Sequence, residues 1–205
     1  MVLYAPFFMN IFQIGKIGNL GTKYIIEEKF IELQKYFSKE FLNLSIKKID
    51  ESLQNNLNKN LQDIILKKEN DIIYYKKISK GGFLSALYSI CEEFKKEDIL
   101  KNKEDRILKS NVLGINYYLF KTDILQSTIE ISNFYDINPY RLYTDNAYII
   151  FSNNDYIEGC NFIGKTTNEK RRIRIDIDTN SFLTKDYKDE INKVLKDFKD
   201  FKVFK

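Results

Sequence analysis

The sequence predicts an α/β (α+β) fold, a single mixed β-sheet packed with helices. Three observations predict it. Short β-prone runs alternate with longer stretches whose apolar residues repeat at helical spacing. Residues 71–96, DIIYYKKISKGGFLSALYSICEEFKK, read as strand, Gly-Gly loop and amphipathic helix in immediate succession. The run RRIRIDID from Arg171 has the period-2 alternation of a half-buried strand.

The chain has 205 residues, enough for one domain with a substantial core, and carries neither internal repeats nor a Pro/Gly/Ser linker. Its opening, MVLYAPFFMNIFQIGKIG, is apolar, but it lacks a basic leader and is interrupted by Pro6 and Asn10. No stretch reaches membrane-spanning length, so the opening is read as a strand that enters the core, Asn10 to Lys16. Gly15, Gly18 and Gly21 mark a turn, and a helix is expected from Thr22 to Phe37 with Tyr24, Ile25, Phe30, Ile31, Leu33 and Phe37 inward. Ser38 is a candidate N-cap for a second helix that buries Phe41, Leu42, Leu44, Ile46 and Ile49. The Asn/Lys-rich residues 54–70 read as a loop with a short helix.

Ile72 to Tyr75 form the next strand, and Gly81 and Gly82 follow a polar loop. Phe83, Leu84, Leu87, Ile90, Cys91 and Phe94 then line one face of a helix. A glycine pair at a helix start can present unpaired backbone N–H groups to an anion. The plain alternative is that two glycines let the loop turn and pack. The charge-dense run at 95–110 is expected to extend the helix and loop back, as a solvated insertion or a docking surface.

Val112 to Phe120 reads as a strand, and Thr122 and Asp123 as the start of a helix with Ile124, Leu125, Ile129, Ile131 and Phe134. Pro139 enforces a turn. In the turn Thr144–Asp145–Asn146–Ala147, Asn146 is the residue best able to adopt positive φ without being glycine. Tyr148 to Phe151 is a strand, and residues 152–159 are too short for a helix and predict a tight connection. Cys160–Lys165 and Arg171–Ile177 are expected to pair as a hairpin around Asn168 and Glu169. Arg171, Arg172 and Arg174 could meet phosphate, or could blunt an exposed sheet edge. Tyr187 to Val203 is expected to be a terminal helix.

The chain contains no histidine. That removes the usual general base near neutral pH, the commonest metal ligand and the ordinary Ser-His-Asp and Cys-His arrangements. Cys91 and Cys160 form no CxxC, and their use fits a reducing, cytoplasmic setting. A net charge of +4 spread over interspersed acidic and basic residues argues against a nucleic-acid groove. No nucleic-acid or membrane partner is expected.

Three stretches carry a family resemblance: KIGNLGTKYIIEEKF near the start, KISKGGF at residues 77–83, and the Thr128, Ile131 and Asp136–Ile137–Asn138–Pro139–Tyr140 pattern with Leu142. Together they resemble the C-terminal domain of the AIR synthase-related superfamily, over about residues 12–180. That superfamily includes phosphoribosyl-aminoimidazole synthetase, selenophosphate synthetase, thiamine-monophosphate kinase and the hydrogenase maturation carbamoyl dehydratase. In it, an Asp-x-Thr-x-Gly-Gly motif opens a helix; here Ser79, Gly81 and Gly82 match, and Lys77 stands at the acidic position. The resemblance implies one domain, with Lys77, Ser79, Gly81, Gly82 and Asn146 as candidate cofactor-binding residues and with no catalytic or metal-ligating set. It further implies that ATP would bind only with a partner, because an N-terminal half supplies the magnesium and ATP-phosphate ligands in the full enzymes. The expectation is therefore a non-catalytic binding or regulatory protein, a homo-oligomer or the partner of a separate N-terminal-half-like subunit. The alternative is one subunit of a split ATP-dependent enzyme that contributes a glycine loop to the phosphates.

Overall fold

Seven strands form one sheet in the order β2-β4-β1-β5-β3-β6-β7 in the computed structural model, which describes residues 8–54, 63–101, 113–167, 169, 171–176, 178–185 and 188–195. The strands are β1 (Asn10–Ile14), β2 (Ile72–Lys77), β3 (Gly114–Tyr117), β4 (Tyr148–Ser152), β5 (Asn161–Thr167), β6 (Arg172–Ile175) and β7 (Asn180–Phe182). All neighbours are antiparallel except β3 and β6, which makes the sheet mixed, as expected. The helices are α1 (Asn19–Glu28), α2 (Phe30–Leu33), α3 (Lys39–Gln54), a turn α4 (63–66), α5 (Gly82–Lys101), α6 (Gln126–Phe134) and α7 (Ile191–Val194).

The central strands β1 and β4 are buried along their whole length; β4 is apolar from Tyr148 to Phe151, whereas β1 also buries Asn10 and Gln13, whose side chains are hydrogen-bonded. One face packs Ile11, Ile149, Phe151 and Ile163 against Phe83, Leu87, Ile90 and Cys91 of α5. The other holds Phe12, Ile14, Tyr148 and Ile150, covered by Ile64 and Ile157. A third cluster joins α1, α2, α3, α6 and α7 through Ile25, Ile26, Leu33, Leu42, Ile131 and Ile191. Among the described residues no helix is long and apolar enough to cross a membrane.

Several boundaries depart from expectation. The first helix begins at Asn19, after Gly18 in a left-handed conformation, and the Thr22 hydroxyl lies inside it, donating to the Gly18 carbonyl at 2.7 Å. It breaks at Lys29, and α2 restarts so that Leu33 joins Ile25 and Ile26; Ile31 faces solvent, as does Leu44 on α3. The Ser38 hydroxyl does accept the Phe41 N–H, at 3.1 Å. Helix α6 starts at Gln126 instead of Thr122. Residues 119–121 make a 3₁₀ turn, and the Asp123 backbone is tied to β1 by the buried Gln13 side chain, whose Oε1 accepts the Asp123 N–H at 2.7 Å.

The expected hairpin does not form. Strand β3 lies between β5 and β6, antiparallel to the first and parallel to the second. The connection from β5 passes directly over Gly114, where a Cβ would sit 1.5 Å from the Glu169 carbonyl oxygen; only glycine permits that crossing. Of the expected terminal helix, Ile191–Val194 is helical, and residues 196–205 lie outside the described residues. The 95–110 run continues α5 to Lys101, and its remainder lies outside them as well.

Candidate functional site

The glycine loop joins β2 to α5. Gly81 and Gly82 have φ of 75° and 67°, the left-handed region in which a side chain is strained. At Gly82 an added Cβ would meet the Tyr140 carbonyl oxygen at 2.6 Å and the Leu142 oxygen at 2.8 Å. This loop therefore packs backbone to backbone on residues 140–142, the segment that follows Pro139. Both glycines are buried.

The N–H groups of both glycines are already engaged. Gly82 N–H donates to the Ser79 carbonyl at 3.0 Å. Gly81 N–H donates to Oδ2 of Asp189 at 2.8 Å. The other Asp189 oxygen accepts from Tyr143 N–H at 3.2 Å and from Ile191 N–H at 3.1 Å. One carboxylate thus ties together the glycine loop, the turn before β4 and the start of α7. Burial pushes the Asp189 carboxyl above its ordinary value; the N–H bonds from Gly81, Ile191 and Tyr143, and the Lys80 charge, pull the other way.

The remaining candidates are also brought to this region, each with an internal role. The Lys77 ammonium pairs with Oδ1 of Asp145 at 2.6 Å, and that hydrogen bond is the chief reason its pKa is raised. Ser79 is exposed and contributes its backbone oxygen, to Gly82 and, at 3.4 Å, to Thr144 N–H. Asn146 has a φ of 53°, as its residue type suggested, and is buried. Its side-chain amide donates to the carbonyls of Ser52 and Leu53 near the end of α3 at 3.1 and 3.2 Å.

Sequence reasoning missed Asp189, Asp145 and Asn19. Buried Asn19 brackets Asp145, accepting its N–H at 3.0 Å and donating to its carbonyl at 2.8 Å. A signal for Asp189 exists: an acidic residue whose side chain accepts the Ile191 N–H from two positions before it, just ahead of the N-cap Glu190. Extending the helix back to Tyr187 obscured it. The arginines of β6 make protein contacts: Arg172 bonds Glu92 at 2.5 Å and stacks on Tyr88, and Arg174 pairs with Asp176.

No group of three or more potential metal ligands occurs among the described residues. Burial pushes the Cys91 thiol up to about 12 and the Cys160 thiol up to about 11, so neither is a nucleophile near neutral pH. A cavity of about 710 Å³ is lined by Ile14, Gly15, Lys16, Ser52, Asp63 and Asp123 among others, and includes none of the five candidates.

Among solved structures, the chain is similar to HypE in complex with ATP, with a TM-score of 0.58 at 11% identity over 91% of this chain and 52% of that one. It matches E. coli HypE, a hydrogenase maturation protein, with a TM-score of 0.58 at 10% identity over 91% and 52%. It matches a chain of the HypE–HypF complex with a TM-score of 0.51 at 15% identity over 85% and 52%. The chain shares its fold with AIR synthase-related proteins. It spans about half the length of the HypE chains it matches, the share that a C-terminal-half-like domain would take. No protein-family model matches the chain, and no curated protein matches it in sequence.

Proposed function

We propose that this chain is a non-catalytic relative of the AIR synthase C-terminal domain, acting as a binding or regulatory protein. The observation that carries this reading is the Asp189 carboxylate on the Gly81 N–H. An anion provided by the chain itself sits where a nucleotide phosphate would need to bind. Lys77 neutralises Asp145, and Asn146 caps a helix, so the remaining candidates work to shape the loop. In this reading residues 1–205 form one domain, the partner is a second copy or an N-terminal-half-like subunit, and the two free cysteines fit the cytoplasm.

A second reading has some support, because two of the similar structures are HypE with ATP and HypE with HypF. In it the chain is a subunit of a split ATP-dependent enzyme whose glycine loop opens once a partner docks. A tagged pull-down from native cells, followed by calorimetric titration of Mg-ATP into the chain alone and into any stoichiometric complex, separates the two. Absence of nucleotide binding in both samples supports the regulatory reading. Saturable binding by the complex, lost on removing the partner, favours the split enzyme.

A further inference from the structure

We propose that Asp189 is an acid-sensitive latch that holds the C-terminal segment against the glycine loop. The geometry makes the contact depend on ionisation. A carboxylate only accepts hydrogen bonds, and here its two oxygens serve three backbone donors from three elements: Gly81, Tyr143 and Ile191. A proton takes up one lone-pair site and removes the negative charge, so both oxygens become weaker acceptors for the three N–H groups.

The rest of the segment has independent anchors. Glu190 N–H donates to the Arg141 carbonyl at 3.2 Å, Leu183 N–H donates to the Arg172 carbonyl at 2.9 Å, and Ile191 is buried among the helices. Protonation therefore releases the glycine loop while the segment stays packed. The charged group that acts on Asp189 from the loop is Lys80, which favours the ionised form. Tyr143 and Asp145, the latter paired with Lys77, are the titratable residues around the turn, Arg141 is the charged residue just before it, and Lys188, Glu190 and Lys193 are those of the segment itself. Burial acts in the same direction as the latch requires, towards proton uptake at higher pH. The inference rests on the reading that the loop is closed internally.

The test follows backbone amides of the full chain by NMR as pH falls. The Gly81, Tyr143 and Ile191 amides are expected to titrate together, with a midpoint above the ordinary aspartate value. Exchange protection at Gly81 should fall roughly tenfold or more relative to Ile78, whose N–H donates to the Ala147 carbonyl. Asp189→Asn should abolish the shared titration, and Glu190→Gln should leave it. The latch is overturned if the wild-type amides of Gly81 and Tyr143 do not share a midpoint, if the titration survives Asp189→Asn, or if Glu190→Gln removes it. Should Asp189→Asn fail to fold, the wild-type midpoints and Glu190→Gln still decide. Mg-ATP binding by the wild-type chain would overturn the regulatory reading, whereas an unmoved Gly81 amide overturns the latch alone.

Discussion

The side-chain amide of Asn146 donates to the Ser52 carbonyl at 3.1 Å, so the turn before β4 closes the end of α3. The same amide reaches the Leu53 carbonyl, and the Asn146 backbone is left-handed. Two requirements, a positive φ and a buried donor, meet in one residue. Asn146→Gly keeps the backbone and loses the donor; Asn146→Ala loses both. Urea unfolding should give a loss of about 1–3 kcal/mol for the glycine variant and a further 1–2 kcal/mol or so for alanine.

Gly82 and Gly159 both have positive φ, and their surroundings differ. A Cβ at Gly82 meets backbone oxygens at 2.6 and 2.8 Å, whereas one at Gly159 meets nothing within 4 Å. Gly159→Ala should therefore cost only the conformational strain, about 1–2 kcal/mol, and Gly82→Ala about 2–5 kcal/mol, because the packed backbone must also move. Paired thermal melts check this. The contrast also means that loss of function on bulky substitution at Gly82 reports unfolding before it reports chemistry.

Lys77 and Asp145 form a half-exposed ion pair, with side chains 51% and 41% accessible. Pairs of this kind contribute about 0–1 kcal/mol. Lys77→Met should change stability by less than about 1 kcal/mol, and the change should shrink in high salt as the charges are screened. A loss of several kcal/mol in urea unfolding would mean that Lys77 has a further partner in the folded chain.

Asp189 also sets a pH dependence of overall stability. Its folded pKa lies above the ordinary 3.8, so between those two values the folded chain binds more protons than the unfolded one. The contribution of Asp189 to stability therefore rises as pH falls through that window and is lower above it. Subtracting the Asp189→Asn urea curves from wild type across acidic pH should expose this slope. Local release of Gly81 and a global gain both follow from the same proton: the loop loses a hydrogen bond while a buried charge is removed.

Neither thiol should behave as a thiolate in the native state. With Cys91 pushed up to about 12 and fully buried, and Cys160 up to about 11, alkylation at neutral pH should be slow at Cys160 and slower at Cys91. Both should react fast in denaturant. Rapid native labelling of Cys91, followed by mass spectrometry, would contradict the packing of α5 on the sheet.

Most of the sheet was legible because its strands carry local signals: β2 opens on the β-prone run Ile72–Tyr75, β4 on the apolar run Tyr148–Phe151, and the glycine pair sits at the start of α5. The β5–β6 hairpin was misread because nothing local in Arg171–Ile177 states which strand it pairs with. The deciding feature is Gly114, far away in sequence, which lets the chain cross and places β3 in the gap. The candidate loop was legible in its backbone shape, since Gly81, Gly82 and Asn146 all adopt the left-handed conformations their types allow. Its occupant was not. Asp189 lies 108 residues from Gly81, and its role arises only when the chain returns to the loop.

The most direct test of the account is to titrate Mg-ATP into the ¹⁵N-labelled chain while following the Gly81 and Gly82 amides. With Gly81 N–H held by Asp189 and Gly82 N–H by Ser79, both resonances should stay in place. A saturable shift of either amide, with a matching perturbation at Tyr143, would contradict the claim that the loop is closed by the chain itself.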